Sequence, residues 1–259
     1  MFQYKKNKKI IIANWKMNPN SYVEAINLIN LYIENISNNK IDLNNINFII
    51  APPAVYLQNI YLTLKNLNYH NNIFLSAQNI CWEHKGAFTG ELSASSFKSI
   101  GCDFVIIGHS ERRLYNQEND ALVAKKMSIA INEGLIPIIC VGETKQEFNN
   151  QETWQVLDRQ LKFLKEFITQ NLNLNYFIAY EPVWAIGSGN SASLAYIEKV
   201  NNYILQMFPD LSAIKILYGG SVNATNSKDF INLPNLDGIL VGGASLEPEQ
   251  FFKICKNIY

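Results

Sequence analysis

The 259-residue sequence predicts an α/β fold, a single (β/α)8 barrel of parallel strands, and three observations carry that expectation. Eight short apolar runs recur along the chain, segments with helical spacing lie between them, and the chemically capable residues stand just after the runs. Continuous rather than alternating apolarity marks strands covered on both faces, as in a parallel sheet. Length alone also allows two smaller domains, and an open doubly wound sheet accommodates the same alternation. Eight units of about thirty residues match a closed barrel better. No linker rich in Pro, Gly or Ser divides them, which favours one domain over residues 1–259.

In chain order, the first run is IIIA from Ile10, followed by Asn14 and Lys16. Val23, Ile26, Leu28, Ile29 and Ile33 then take helical spacing. FIIA from Phe48 is the second run, and IFLSA from Ile73, with Gln78 beyond it, is the third. FVII from Phe104 precedes His109 and Glu111, and LIPIICV from Leu135 precedes Glu143. Val156, Leu157, Leu161, Leu164 and Ile168 mark another helical face. YFIAY from Tyr176 runs into Glu181, IKILY from Ile214 is followed by Ser221, and GILV from Gly238 by Gly242 and Gly243. In a parallel barrel all these post-strand positions gather at one rim, so residues distant in sequence share one pocket.

Composition narrows the function classes. Acidic and basic residues balance at 22 each, and the cluster Lys5, Lys6, Lys8, Lys9 is confined to the start of the chain, where a solvated terminus explains it better than nucleic-acid contact. Cys81, Cys102, Cys140 and Cys255 lie far apart, without disulfide or zinc spacing, which suits a reducing compartment. The first apolar run is too short for a signal-peptide core and no later run reaches membrane-spanning length. A soluble, cytoplasmic protein that binds neither nucleic acid nor membrane is expected.

YGGSVN, Tyr218 to Asn223, and LVGGAS, Leu240 to Ser245, put paired glycines between strand and helix start, where bare backbone N–H groups hold an anion. Each alone is equally a tight turn; together, after the last two strands, they read as a phosphate grip. Neither is a Walker loop or dinucleotide fingerprint. Lys16 is either a solvated loop residue or a fixed positive charge for an anionic substrate. His109 precedes a short helix whose backbone dipoles disfavour imidazolium, and a neutral ring still donates a hydrogen bond; a histidine satisfied within the core is the alternative. Glu111, Arg112 and Arg113 read as a charged first helical turn.

In AYEPVWAIGSG, Ala179 to Gly189, Pro182 holds Glu181 in extended geometry at the strand end, as a base or a structural ion-pair partner. The apolar stretch after it, bounded by Pro182 and by Gly187 and Gly189, has the form of a hinged lid, whose closure expels water and makes the carboxylate a stronger base. One carboxylate, one imidazole, one lysine and an anion grip, with no metal cluster or redox-cofactor motif, point to proton transfer beside the carbonyl of a small phosphorylated substrate, with no cofactor.

NWKMN at Asn14, AFTGE at Ala87, VIIGHSERR at Val105, AYEPVWAIGSG, YGGSVN and VGGASL at Val241 resemble the triosephosphate isomerase family, whose fold is the TIM barrel, from about Ile10 to the end. The resemblance implies interconversion of dihydroxyacetone phosphate and glyceraldehyde 3-phosphate. It casts Glu181 as base, His109 as electrophile, Lys16 and Asn14 as substrate-binding, Gly187, Ser221, Gly242 and Gly243 as phosphate contacts and Glu111 as support. It also implies a homodimer in which the loop Gly86 to Glu91 carries Thr89 toward the partner, with Met17 in the contact. Ser188 and Asn190 depart from the family's usual threonine and basic residue, and NNQET from Asn149 from its usual AGKT. Two rivals stand beside this reading: an aldolase using Lys16 as a Schiff-base nucleophile, and a non-catalytic binding barrel.

Overall fold

A computed structural model describes residues 8–39, 41–168, 176–186, 191–208 and 214–258. Each apolar run forms a strand: β1 Lys9–Asn14, β2 Ile46–Ala51, β3 Ile73–Ala77, β4 Cys102–Ile107, β5 Ile136–Val141, β6 Tyr176–Tyr180, β7 Ile214–Tyr218 and β8 Gly238–Val241. The strands pair in parallel in chain order and β1 pairs with β8, Ile12 opposite Leu240, so the sheet closes and the open-sheet alternative falls.

Closure gives each strand two buried faces. Ile10 and Ile12, Phe104 and Ile106, Ile138 and Cys140, Phe177 and Ala179, with Leu217 and Leu240, fill the barrel interior. The alternate residues, such as Ile11, Ala13, Val105 and Ile178, pack outward against the helices. Both faces are apolar, which is why the runs do not alternate.

Among the described residues ten α-helices surround the barrel: α1 Tyr22–Asn38, α2 Leu57–Asn66, α3 Ala94–Ser99, α4 Ser110–Tyr115, α5 Asp120–Asn132, α6 Lys145–Asn149, α7 Thr153–Ile168, α8 Leu194–Gln206, α9 Ser227–Ile231 and α10 Pro248–Lys256. The sequence pattern gives one helix per unit; the fourth and fifth units hold two. Their breaks fall at Gln117 and Gln151, which take positive φ of 56° and 62°. A side chain at such a φ ends a helix. Asn119, accepting from Leu122 N, then caps α5. The short extra helices α4 and α6 lie where β4 and β5 open onto the rim, and both reach the site.

The seam between β8 and β1 is sealed by aromatics. Tyr32 on α1 stacks on Phe251 of α10 at 5.2 Å and meets Phe252 edge-on at 5.3 Å. Its hydroxyl donates to the Ser245 carbonyl and accepts from Trp15 Nε1 at 3.2 Å. Packing thus reaches the turn that begins at Gly243 and the loop that carries Lys16.

Candidate active site

Strand parity builds the rim. Two residues beyond Ile12, Cys140, Ala179, Leu217 and Leu240, the next inward positions are Asn14, Gly142, Glu181, Gly219 and Gly242. Three of the five are glycine, and space is the reason. A Cβ on Gly142 would fall 1.9 Å from the Glu181 carbonyl oxygen, one on Gly219 2.8 Å from Glu181 Cγ, and one on Gly242 3.2 Å from Lys16 Cε. The missing side chains admit the glutamate and the lysine.

A cavity of about 450 Å³ opens there, lined by Asn14, Lys16, His109, Ser221, Gly242 and Gly243, so the structure gathers these predicted residues. Lys16 holds a left-handed backbone, φ 54°, of the kind that costs about 1–3 kcal/mol. Three bonds maintain it: Lys16 N donates to Asn14 Oδ1 at 3.0 Å, and Gln78 Nε2 donates to the Lys16 and Ala51 carbonyls, both at 2.8 Å. The Lys16 ammonium donates to Glu111 Oε1, so Glu111 orients the lysine from α4.

His109 is the N-cap of α4, and its Nδ1 accepts from Glu111 N at 3.3 Å. A nitrogen that accepts carries no proton, which places the ring's hydrogen on Nε2. Nε2 lies 3.3 Å from Glu181 Oε1. Glu181 is 1 % exposed, its backbone N donating to Val141 O at 2.7 Å as if the strand continued one residue further. Ser110 N donates to Oε2 at 2.9 Å, while Oε1 has no hydrogen-bond partner among the described residues. The neighbouring Cys140 thiol is held well above its usual range, first by burial and then by the Glu181 charge, so it stays protonated beside the carboxylate. Glu181 therefore rests buried beside His109 and Gly219, both of which line the cavity.

The first part of the predicted lid is an extended Pro182 and a 3-10 turn, Val183–Ala185. Its anchor is Glu143, which the sequence placed on the rim without a role. Fully buried, Glu143 accepts from Tyr180 Oη at 3.0 Å, Trp184 Nε1 at 2.8 Å and Tyr196 Oη at 3.1 Å, and its carbonyl accepts from Val183 N at 3.1 Å. Trp184 also stacks on Phe148 of α6 at 4.3 Å. The signal was the clustering of Tyr180, Trp184 and Tyr196, all with donors that need acceptors when buried. Ser221 lines the cavity, but its hydroxyl donates to the lid's Ala185 carbonyl at 2.6 Å. Gly187, with Ser188, Gly189 and Asn190, lies outside the described residues.

The predicted contact loop, Gly86 to Glu91, is exposed on the same side, as is Met17 at 87 %. A second cavity, about 580 Å³, separates them, with Asn14, Lys16, Met17, Glu111, Tyr115 and Glu91 among its walls. No described helix is long and apolar enough to cross a membrane.

The triosephosphate isomerase family model matches residues 9–258. Two similar curated proteins are the triosephosphate isomerases of Buchnera aphidicola subsp. Schizaphis graminum, 40 % identical over 254 residues covering 96 % of this chain and 97 % of the relative, and of Baumannia cicadellinicola subsp. Homalodisca coagulata, 42 % identical over 254 residues with 95 % of each covered. Among solved structures, the crystal structure of triosephosphate isomerase from Bartonella henselae superposes with a TM-score of 0.81 at 34 % identity, covering 96 % of this chain and 98 % of that one.

Proposed function

The chain belongs to the triosephosphate isomerase family, and from that premise we propose how its own residues carry the reaction. The protein is an isomerase of triose phosphates: it interconverts dihydroxyacetone phosphate and D-glyceraldehyde 3-phosphate, a step of glycolysis and gluconeogenesis.

The phosphate lies against Gly242, Gly243 and Ser221, with Gly187 of the lid as a further contact, and Lys16 supplies the positive charge. Glu181 leaves Ser110 N, takes a proton from the C1 carbon of dihydroxyacetone phosphate and delivers one to C2, while the O1 hydroxyl proton passes to O2 by way of His109 Nε2. Negative charge meanwhile gathers on the oxygens of the enediolate, where His109 Nε2–H, Lys16 and Asn14 stabilise it. Proton loss and gain balance, and no other reactant is consumed. Lid closure sheds water from this cavity and keeps the enediolate from expelling its phosphate. The observation that carries this reading is the 3.3 Å approach of His109 Nε2 to Glu181 Oε1 at the edge of an anion-binding cavity. The pairing of the Lys16 ammonium with Glu111 weighs against the Schiff-base aldolase, since an ammonium so engaged offers no lone pair to a carbonyl.

The same proposal makes the full chain one catalytic domain, places the protein in the cytoplasm and pairs it as a homodimer. In that dimer the loop around Thr89 enters the partner's cavity beside Met17 and Glu111. The exposed Met17, Leu92 and Tyr115, which wall the same cavity, support it, as large apolar side chains clustered together mark an interface. A coupled assay with glyceraldehyde 3-phosphate tests the activity, and borohydride trapping with a phosphorylated ketone tests the rival. Turnover without an adduct is expected; a stable adduct at Lys16 would sink the isomerase reading.

A further inference from the structure

Arg113 has no part in the site described so far, yet its guanidinium touches the two strand ends that carry the site. Nε donates to the Gly108 carbonyl at 2.8 Å, Nη2 to the Cys140 carbonyl at 3.3 Å, and Nη1 to Asp120 Oδ1 at 2.6 Å. A surface ion pair does not account for this pattern: the Arg113 and Asp120 side chains are each only 17 % exposed, and two of the three contacts go to backbone.

The two carbonyls are specific places. The Gly108 carbonyl belongs to the peptide that leads directly into His109, and the residue after His109 supplies the N–H that holds Glu181 Oε2. The Cys140 carbonyl belongs to β5, and the next residue, Val141, accepts the Glu181 backbone N–H at 2.7 Å. Gly108 itself takes φ +67°, and a Cβ there would stand 3.1 Å from Arg113 Nη2 and 3.0 Å from Val123 Cγ2, so glycine provides both the turn and the space for the guanidinium. Asp120 in turn has its second oxygen engaged by Arg159 Nε at 3.1 Å, which fixes the anchor from outside.

We propose that Arg113 is a positioning residue for the isomerisation: its planar fork ties the Gly108–His109 peptide just after β4 to Cys140 on β5 and so sets the imidazole and the resting carboxylate relative to each other. This rests on the isomerase reading and extends it. The planar geometry is essential, because a lysine at the same place carries the charge to Asp120 but does not span both carbonyls in one plane. Arg113 touches neither substrate nor reacting atoms.

The test is Arg113→Lys, with kcat and KM measured separately per folded protein and the His109 ring N–H followed by NMR. Misplacement by a fraction of an ångström is expected to lower kcat about 10- to 100-fold and to shift the ring signal. KM should stay within about threefold, because the phosphate grip at Lys16, Gly242 and Gly243 lies on other strands. A kcat within about twofold of wild type, or a lowered kcat with an unmoved ring signal, overturns the proposal. Should that variant fail to fold, Asp120→Ala, which frees one of the three anchors from outside, takes its place. There a drop in kcat of about three- to tenfold with KM unchanged supports the proposal, and wild-type kcat overturns it. A wild type that does not interconvert the triose phosphates overturns the isomerase reading itself, whereas active wild type with unaffected variants overturns only the role of Arg113.

Discussion

At the scale of single residues, the proposed chemistry turns on the position of one carboxylate. Glu181 is held by Ser110 N, and the absent side chain of Gly219 leaves room beside its Cγ. Glu181→Asp withdraws the carboxylate by one methylene from a carbon it must reach, so turnover should fall about 100-fold or more while KM changes little. Near-normal kcat in steady-state assays would reject Glu181 as the positioned base. Gly219→Ala puts a methyl 2.8 Å from Glu181 Cγ and obstructs its path into the cavity. A kcat lowered about tenfold in a folded protein is expected, and an unchanged kcat would mean that the carboxylate travels by another route. Much at this scale was legible in the sequence, because Asn14 ends a strand, Lys16, His109, Glu181, Ser221, Gly242 and Gly243 each follow one, and the barrel brings strand ends together. What escaped was pairing. That His109 Nδ1 accepts from Glu111 N, or that Ser221 reaches Ala185, depends on rotamers and on a helix cap, which strand periodicity does not encode.

At the scale of elements, the lid and its anchor form the mechanical unit. Glu143 gathers three side-chain donors from β6, the lid turn and α8 into one buried carboxylate. Glu143→Gln leaves one accepting oxygen and adds a buried N–H₂ that needs an acceptor, for a cost of about 1–3 kcal/mol that urea titration can measure. The loss should come with altered turnover, since Trp184 loses its acceptor; a variant as stable as wild type would show that the three donors find other partners. The fold at this level was readable strand by strand, because burial on both faces leaves a continuous apolar run. The splitting of the fourth and fifth helical segments was not: Gln117 and Gln151 take left-handed geometry that neither glycine nor proline announces.

At the scale of the whole molecule, burial sets the response to alkali. Burial pushes Tyr218 and Cys102 up to about 12 and raises Tyr180 and Cys140 well above their ordinary values. These groups keep their protons in the folded state at a pH where the unfolded chain has released its own. Their stabilisation is therefore complete below the ordinary thiol and phenol values and is lost as pH climbs toward 12. Lys9 and Lys126, both lowered first by burial, work in the other direction, and the raised phenols and thiols outnumber them. The urea midpoint should fall steadily above about pH 9, and a flat profile to pH 11 would contradict the burial of these residues. All four cysteines are buried, so the native protein should show no thiol reactive at pH 8 and all four after unfolding; a rapidly reacting thiol in the native state would count against this packing. The central claim is proton transfer through an enediolate on Glu181. The direct measurement is ¹H NMR of glyceraldehyde 3-phosphate turnover in D₂O. Dihydroxyacetone phosphate carrying deuterium on C1 is the expected product, with the exchange suppressed in Glu181→Asp. Turnover by the wild type in which the C2 hydrogen always arrives intact at C1 and no deuterium enters product or substrate, as in a hydride shift, or no turnover at all, would contradict it.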